Sequence, residues 1–600
     1  MELTFTYIDE ILIFVGFAAS LNLLMGYTGQ VSVAPAAFGA LGGYAMGYLW
    51  IHQHMPIIWD LLIALGVAGV GGLLVGIPAL RLTTEWLILL TLAFQTIVTA
   101  LLDTMNAFGG TYGLEDITGL SIFGHKLDTA TQQFPLIIVV AAIIVAICWR
   151  LGESPYGRVL RAIREDETAT RAVGKNIFAY KLLIFTVTSA LAGVAGVLLV
   201  MQSSVASPPL FSFDQSTAII AMVILGGMGN LLGSVVGATV ITLTTPFFQY
   251  AVKLSAEYSS LWRLVGYGLL LVLIMIFRSQ GLVPEGVGPI RFLRRRVGSR
   301  GAAVSEGVVP AVAGPGVMPP QAIGGNGARP QLRLASEAIV PRTRADSEEA
   351  VLTVTDLSKR FGGIVAVDGV SFELRRGTIT ALVGPNGAGK TSVFNLLTGA
   401  IRADRGSVVL NGTEVMGMLP NQVASRGMVR SFQDVRVFPR LSCLSNVAVA
   451  VNQQAGEHAI PLFFRPVHVA SSERATRERA MRWLEFVGMA SMADVPVGSL
   501  AFGQQKLVAL ARVLATDAEV LLLDEPASGI DHQWVEVMLG LIEALRPEGR
   551  TVCIVEHNLA VVGRLADHIY FMELGRITAE GSLDELTGDR RLAEAYFGTA

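Results

Sequence analysis

A glycine-rich segment followed by a lysine and a hydroxyl side chain has the spacing of a phosphate-binding loop. The apolar run Ile379–Val383 before it predicts a buried strand, and a helical pattern follows it. The motif GxxxxGK[ST] and the next residue comprise Gly384, Pro385, Asn386, Gly387, Ala388, Gly389, Lys390, Thr391 and Ser392. Backbone amides in such a loop surround phosphate, and the helix N-terminus adds its dipole. The motif predicts nucleotide binding, with Lys390 at the β- and γ-phosphates and Thr391 as a ligand of Mg²⁺.

Two acidic residues end a second apolar run, 520–523, which predicts another buried strand. Ligands of open α/β sheets bind at the carboxyl ends of such strands. Asp524 is suited to hold Mg²⁺, usually through water, and Glu525 to polarise the water that attacks the γ-phosphate. The alternative, in which both acids only cap the next turn, is disfavoured by the phosphate loop upstream.

The elements that must position these residues lie in the second half of the chain. The protein has 600 residues, of which 52% are hydrophobic and 16% charged, whereas a typical soluble domain carries about 25% charged residues. Only 28 charged residues fall in the first 290 positions, and 65 fall in the remaining 310. We therefore expect a multidomain protein, with an all-α transmembrane domain over 1–290 and an α/β domain over 350–600. Prolines and glycine clusters, concentrated in 301–349, predict a flexible linker over 291–349.

Charge-free runs predict about nine membrane crossings, uncertain by one. The crossings predicted around these runs are 7–25, 31–51, 57–78, 84–102, 134–151, 180–201, 216–228, 230–250 and 261–277. The segment 149–181 is strongly basic and the loop 103–133 mainly acidic, so the first is expected inside the cell and the second outside. The glycines at 226–229 indicate either a cytoplasmic turn or a break inside the membrane.

Repeated glycines mark faces of two predicted spans. Gly39, Gly43 and Gly47 recur every four residues, as do Gly72 and Gly76. Such spacing is typical of close helix packing in membranes, and the alternative is that these glycines line a permeation path. The net charge of −3 gives no indication of a nucleic-acid partner.

The motifs of the second half together resemble those of ATP-binding cassette (ABC) ATPases, across 350–600. Leu500, Ala501, Phe502, Gly503 and Gln504 resemble the family signature, which completes the ATP site of a neighbouring subunit. Ala501 stands where serine is commonest, which removes one hydroxyl donor to the γ-phosphate. The resemblance also gives four further residues a role: an adenine-stacking aromatic, a glutamine that senses Mg²⁺ and the attacking water, a loop that crosses to the partner, and a switch histidine. They are Phe361, Gln433, Asp531 and His557.

The first half resembles the permeases of branched-chain amino acid importers. The resemblance is carried by 157–174, which is similar to the coupling segment of those permeases, and by 218–230 and 277–284. The whole chain is similar to an M-type permease fused to a G-type ATPase, two parts that this family usually keeps as separate subunits. The resemblance implies ATP-driven import of branched-chain or other small hydrophobic amino acids across the cytoplasmic (inner) membrane, with the ATPase in the cytoplasm.

The same resemblance implies partners, because one phosphate loop and one signature do not make a complete ATP site. A second permease and a second cassette subunit are expected, together with an extracytoplasmic substrate-binding protein. A heteromer is favoured, and a homodimer is the alternative. Three other functions stay open: import of urea or short amides, an exporter half-transporter, and a membrane-tethered ATPase that moves no solute. Short loops and many spans argue against the exporter, and the glycine-broken spans argue against a mere anchor.

Overall fold

The computed structural model describes residues 2–81, 84–122, 125–251, 256–278, 280–285 and 349–588. Apart from Glu349, the predicted linker 291–349 lies outside these residues, so the prediction of a linker stays untested. The closing residues 589–600 lie outside them as well.

Every predicted membrane crossing coincides with a helix. These helices are α1 (Glu2–Thr28), α2 (Pro35–Gln53), α3 (Ile57–Ala79), α4 (Thr84–Thr104), α5 (Ala130–Gly152), α8 (Ile177–Ser203), α9 (Phe213–Gly226), α10 (Leu231–Pro246) and α11 (Ala256–Phe277). Two short helices, α6 (Pro155–Glu165) and α7 (Glu167–Ala172), lie between α5 and α8, and a small hairpin follows α4, with strands β1 (Ser121–Ile122) and β2 (His125–Lys126). By length and composition, seven helical segments of the described chain are suited to cross a membrane: 4–28, 57–79, 85–104, 130–152, 177–203, 208–226 and 231–249. The number of nine crossings stays a prediction.

The glycine repeats bring helix backbones into contact. A Cβ atom on Gly42 of α2 would lie 2.2 Å from the carbonyl oxygen of Gly193 in α8. A Cβ on Gly196 would lie 2.0 Å from the carbonyl oxygen of Gly39. Because Cβ atoms do not approach other atoms so closely, these positions need glycine for α2 and α8 to meet. Within the predicted repeat, a Cβ on Gly39 would lie 2.8 Å from the ring of Phe17 in α1, and a Cβ on Gly43 would lie 2.7 Å from Val200 in α8, so both glycines pack against neighbouring helices.

The glycine-rich segment after α9 forms a turn held by α1. Asn22 lies in α1 and is fully buried. Its Nδ2 donates to the carbonyls of Gly227 (3.3 Å) and Asn230 (2.9 Å), while its Oδ1 accepts from the amide of Gly229 at 2.8 Å. The side chain of Arg164 in α6 lies beside Gly229. The turn is therefore on the same side of the bundle as α6, and both alternatives for its position relative to the membrane stay predictions.

The second half contains two sheets. One is antiparallel, with strand order β4-β3-β6-β7, from β3 (Ala350–Phe361), β4 (Ile364–Arg375), β6 (Arg405–Leu410) and β7 (Thr413–Glu414). The other has the order β12-β11-β5-β10-β9-β8, from β5 (Ile379–Val383), β8 (Met428–Arg430), β9 (Val520–Asp524), β10 (Thr551–Val555), β11 (His568–Glu573) and β12 (Arg576–Gly581). All its neighbouring pairs are parallel except β11 with β12. The expected α/β class is confirmed.

The described part of the second half contains nine α-helices. They are α12 (Lys390–Leu397), α13 (Pro420–Ser425), α14 (Cys443–Ala450), α15 (Ala459–Phe464), α16 (Pro466–Phe486), α17 (Phe502–Leu514), α18 (His532–Glu543), α19 (Leu559–Leu565) and α20 (Leu583–Gly588). Strands β5, β9 and β10 are buried along their whole length, which explains their uninterrupted apolar sequences. The carboxyl ends of these three buried, parallel strands lie along the same edge of the sheet.

Candidate nucleotide site and its link to the membrane helices

Four neighbouring parallel strands end at one edge of the sheet and deliver most of the predicted site. The phosphate loop follows β5, and His557 follows β10. Asp524 ends β9, and Gln433 lies three residues beyond β8. Because these strands are adjacent in the order β5-β10-β9-β8, residues from four distant stretches of sequence meet along this edge.

The phosphate loop depends on a glycine at the start of α12. Gly389 has φ 102°, and a Cβ there would lie 2.3 Å from the carbonyl oxygen of Ala366. A larger residue would therefore meet both backbone strain and a clash. The ammonium of Lys390 donates to the carbonyls of Gly384 (2.5 Å) and Pro385 (2.8 Å), so it lies across the loop. Burial lowers the pKa of Lys390, and Glu525 and Asp524 oppose that effect.

The acid pair is held in two different environments. Asp524 is 1% exposed, and its Oδ2 accepts from Arg430 Nη2 at 2.6 Å. Burial raises the pKa of Asp524, although the Arg430 charge and hydrogen bond act in the opposite direction. Glu525 is more accessible and has φ 45°, in the left-handed region that disfavours side chains. Such strain at a strand end re-aims a side chain and is concentrated at functional sites.

Glu525 joins two of the other predicted residues. Its Oε2 accepts from Gln433 Nε2 at 3.1 Å, and its Oε1 lies 3.8 Å from His557 Nδ1. Lys506 of α17 donates to the carbonyls of three residues in the turn after β9, Glu525 (3.1 Å), Pro526 (3.3 Å) and Ser528 (2.5 Å). The structure thus brings Glu525, Gln433 and His557 together and fixes the backbone beneath them.

The donor set at this edge fits a divalent metal ion. Asp524 Oδ1 is buried and has no hydrogen-bond partner among the described residues, while hard oxygen donors are what Mg²⁺ prefers. The hydroxyl of Thr391, at the start of α12, is the second oxygen donor predicted for the ion. Mg²⁺ held here would neutralise charge on the phosphates.

Phe361, Thr391 and Ser392 lie outside the group formed by Glu525, Gln433 and His557. Phe361 ends β3 with its ring 44% exposed, and the Lys359 ammonium lies 5.6 Å from the ring centre. An exposed aromatic ring is suited to stacking on a base. Thr391 is exposed and Ser392 partly exposed at the N-terminus of α12.

The signature segment forms a second group with the loop before α18. Ala501 and Phe502 are exposed. Gly503, the second residue of α17, lies beside Trp534, whose ring would be 2.7 Å from a Cβ at Gly503. Gln504 Oε1 accepts from the amide of Ala501 at 3.1 Å. Leu500 is buried at the start of the segment, and the exposed Asp531 is the N-cap residue of α18. The predicted residues therefore form two groups, one at the phosphate loop and one around Gly503.

Known families match both halves of the chain. A family model described as the permease component of a branched-chain amino acid transport system matches residues 3–275, and a model described as ABC transporter matches 367–528. The high-affinity branched-chain amino acid transport ATP-binding protein BraF of Pseudomonas aeruginosa is 36% identical over 251 residues, covering 42% of this chain and 98% of BraF. The protein belongs to the branched-chain amino acid family of ABC transporters.

Further relatives match the same region. LivG of Escherichia coli, with the same description as BraF, is 34% identical over 253 residues, covering 42% of this chain and 99% of LivG. A crystal structure of a nucleotide-free ATP-binding cassette from an ABC transporter is 30% identical, covers 42% of this chain and 100% of its own, and has a TM-score of 0.37. This ABC transporter chain therefore carries a permease domain and an ATP-binding ATPase domain together, in a multi-pass membrane protein with a cytoplasmic ATPase.

In this ABC transporter chain, helices α6 and α7 of the permease dock on the ATPase of the same chain. Arg158 forms two hydrogen bonds with Glu473, Nη1 to Oε1 at 2.8 Å and Nη2 to Oε2 at 2.7 Å. The pKa of Glu473 lies below that of an ordinary glutamate. Burial acts to raise it, but the hydrogen bonds and charges of Arg158 and Arg477 outweigh that effect. Ala162 and Ala169 join the apolar core of the ATPase. The segment 157–174, which resembles the coupling segment of the permeases, thus contacts the ATPase of the same chain.

A second buried ion pair holds the end of this docking segment. Lys175 donates to both carboxylate oxygens of Glu457, at 2.7 and 2.9 Å, and to the carbonyl of Val451 at 3.2 Å. Both charged side chains are less than 10% exposed. Tyr180, at the start of α8, donates to the same carboxylate at 3.2 Å. Lys175, Glu457 and Tyr180 therefore satisfy one another at this end of the interface.

The loop after β8 connects the two sites. It begins near Gln433, which contacts Glu525, and continues to Arg436, whose Nη1 lies 3.1 Å from Asp166 Oδ2 between α6 and α7. The amide of Arg440 donates to Glu165 Oε2 at 3.1 Å. A displacement of Glu525 thus has a short physical route to the permease helices.

Arg430 and Lys506 are residues that the sequence reasoning missed. Arg430 neutralises Asp524, and Lys506 holds the turn that carries Glu525. Neither is marked by a spacing rule, because each acts through a contact between distant segments. A basic residue directly before the Ser431–Gln433 stretch was the one visible signal for Arg430.

Proposed function

We propose that this chain imports branched-chain or other small hydrophobic amino acids across the cytoplasmic (inner) membrane, driven by ATP hydrolysis. The observation that carries the proposal is the continuous contact from Glu525 through Gln433 and the 433–440 loop to Asp166 of the permease. The names of the relatives BraF and LivG, both branched-chain amino acid transport ATP-binding proteins, support the substrate class. The permease match over 3–275 supports the same class.

Glu525 is proposed as the general base that activates water for attack on the γ-phosphate. Its contacts with Gln433 and His557 support roles for both in positioning that water and sensing the phosphate. Gly384–Ser392 would bind the phosphates, with Lys390 neutralising their charge, and Phe361 would stack on adenine. Thr391, Gln433 and Asp524 would hold Mg²⁺.

The proposed domains are a permease over 1–290, a linker over 291–349 and a cassette over 350–600. The signature residues Leu500–Gln504 and the loop at Asp531 form their own group, in which Ala501, Phe502 and Asp531 are exposed, and this supports a role in completing the ATP site of a neighbouring cassette. The working transporter is therefore proposed to contain a second permease and a second cassette, with an extracytoplasmic binding protein. A heteromer is favoured over a homodimer by the resemblance to this family.

The test is uptake into proteoliposomes that contain this chain, its partner subunits and the binding protein. We expect ATP-dependent accumulation of radiolabelled leucine, isoleucine or valine, and stimulation of ATP hydrolysis by the same amino acids. Urea and acetamide serve as competitors. Uptake of urea without uptake of leucine would contradict the proposed substrate class. Accumulation in vesicles with the ATPase outside would indicate export and contradict import, because an importer moves its substrate toward the side of the membrane that carries the ATPase. A native mass that contains identical subunits alone would overturn the heteromer.

A further inference from the structure

The ATPase domain exposes an apolar surface formed by α15 and the first turn of α16. Ile460 is 75% exposed, Phe464 81% and Val467 82%, and Phe463 is 40% exposed. Large apolar side chains rarely cluster on a water-facing surface without a partner. We call this surface, comprising residues 460–467, the apolar tip.

The apolar tip is attached to a membrane-spanning helix. Arg150 lies in the last turn of α5 and donates to the carbonyl of Leu462, from Nε at 3.2 Å and from Nη2 at 2.9 Å. Leu462 is fully buried, and with Val469 it belongs to the apolar core formed by the membrane helices. The side of the tip that carries Leu462 is thus bound to the permease, while the side that carries Ile460 and Phe464 is exposed.

The length of α5 gives the depth of this attachment. The helix has 23 residues and is about 35 Å long, whereas the hydrocarbon core of a bilayer is about 30 Å thick. Arg150 is two residues from its cytoplasmic end, so it lies at the boundary of the headgroups. Trp149 beside it is 44% exposed, and Trp is enriched at that boundary. A carbonyl that Arg150 binds must lie at nearly the same depth.

The charges around the tip favour a lipid surface. The stretch 458–472 contains no Asp or Glu, and its one Lys or Arg is the exposed Arg465. Anionic lipids attract basic side chains that lie next to apolar groups at the interface. The tip also continues the lipid-facing side of α5, where Ile143 is 52% and Val139 54% exposed.

We propose that the apolar tip inserts into the cytoplasmic leaflet of the bilayer. Ile460, Phe464 and Val467 contact lipid at the boundary of headgroups and acyl chains, and Arg465 faces anionic headgroups. The ATPase domain is thus held to the membrane directly by lipid, in addition to its docking on α6 and α7. This contact fixes the distance between one side of the ATPase domain and the membrane. The domain therefore turns about that side when the nucleotide site moves.

Quenching by lipid tests this insertion in the full-length chain in nanodiscs. The three native cysteines are buried, so a cysteine introduced at the tip can be labelled selectively. Phe464→Cys and Val467→Cys each carry a polarity-sensitive fluorophore, and the nanodiscs contain phosphatidylglycerol with or without nitroxide on the upper acyl chain. Leu574→Cys is the control, because Leu574 is 84% exposed in the turn between β11 and β12. Retained ATP hydrolysis shows that each labelled variant is folded.

We expect nitroxide lipid to reduce the fluorescence at 464 and 467 by at least about twofold and to leave that at 574 unchanged. Aqueous iodide should quench the control more strongly than the tip. Equal iodide quenching at all three positions, without quenching by lipid, would overturn the proposal. A blue-shifted signal at 464 that nitroxide lipid does not quench would also overturn it, because the tip would then be covered by a protein subunit.

Discussion

The nucleotide edge and the α6–ATPase interface both concentrate charged residues, but they satisfy them differently. At the edge, Asp524 Oδ1 is buried with no partner among the described residues, and Glu525 is held in a strained backbone conformation. At the interface, Arg158 with Glu473 and Lys175 with Glu457 form two-oxygen contacts between buried or half-buried groups.

This difference indicates different mechanical roles. Polar groups that are buried without partners raise the free energy of the site, and a ligand that pairs with them lowers it. Polar groups that are already paired resist separation, because removing one partner leaves the other charge buried. The nucleotide edge is therefore suited to change when a nucleotide binds, whereas the α6–ATPase interface is suited to transmit that change to the permease. The predictions below test each side of this contrast.

The largest effect is expected at Glu525. Glu525→Gln keeps the shape of the side chain but removes the base, so ATP turnover should fall about 10²- to 10⁴-fold while ATP binding persists. Single-turnover hydrolysis and equilibrium ATP binding, measured on the same preparation, separate the two quantities. Glu536→Gln, on the surface of the same domain, is the matched control. Turnover near the native value in Glu525→Gln would remove Glu525 from the proposed chemistry.

The interface should respond strongly to loss of one partner and weakly to loss of both. Lys175→Met leaves the Glu457 carboxylate buried without its cation, which should destabilise the docked state by about 3 to 5 kcal/mol. The double variant Lys175→Met/Glu457→Leu should recover most of that loss. Stimulation of ATP hydrolysis by transported amino acid reports docking, and nucleotide affinity should stay unchanged in both. If the double variant is as impaired as the single one, the pair does more than join the two surfaces.

A smaller effect is expected at the phosphate loop. Lys390→Ala removes a charged hydrogen-bond donor, which is worth about 1.5 to 3 kcal/mol, so ATP affinity should fall about 10- to 150-fold. Fluorescent ATP analogues measure that affinity directly. Lys181→Ala, which removes a lysine that pairs with Glu167 far from the loop, should leave it unchanged. An undiminished affinity in Lys390→Ala would contradict the assignment of this ammonium to the phosphates.

The residues of the nucleotide edge could be predicted from the sequence more completely than those of the α6–ATPase interface, for a physical reason. The residues of the phosphate loop are contiguous, and Asp524 with Glu525 directly follows a strand pattern, so local spacing carries the signal. Arg158 and Glu473 lie 315 residues apart, and only the fold shows that they meet. Helix positions followed from hydropathy, because burial in lipid imposes long apolar runs. The hydrogen bonds that hold the turn between α9 and α10 did not, because Asn22, which lies far away in the sequence, donates to Gly227 and Asn230 and accepts from the amide of Gly229.

The weakest predicted effect, a pH dependence, belongs to the interface. The pKa of Glu473 is lowered in the folded protein, so its pair with Arg158 contributes stability above the ordinary glutamate pKa of about 4.3. That contribution is lost as the pH falls through the lower pKa of the folded state. Spin labels at Arg171→Cys and Glu478→Cys report the distance between α7 and α16. The distribution of this distance should be constant from about pH 8 to pH 6 and should broaden below about pH 4.

Glu473→Gln provides the control for this titration, because an amide does not ionise in that range. The acid transition should then disappear, and the distance distribution should be slightly broad at every pH. A transition that persists unchanged in Glu473→Gln would assign the titration to another carboxylate whose pKa is lowered in the docked state. Glu165 is not such a group, because burial raises its pKa and its protonation on acidification favours the docked state. A loss of docking at low pH that disappears in Glu473→Gln therefore identifies the pair of Glu473 with Arg158 as the titrating contact.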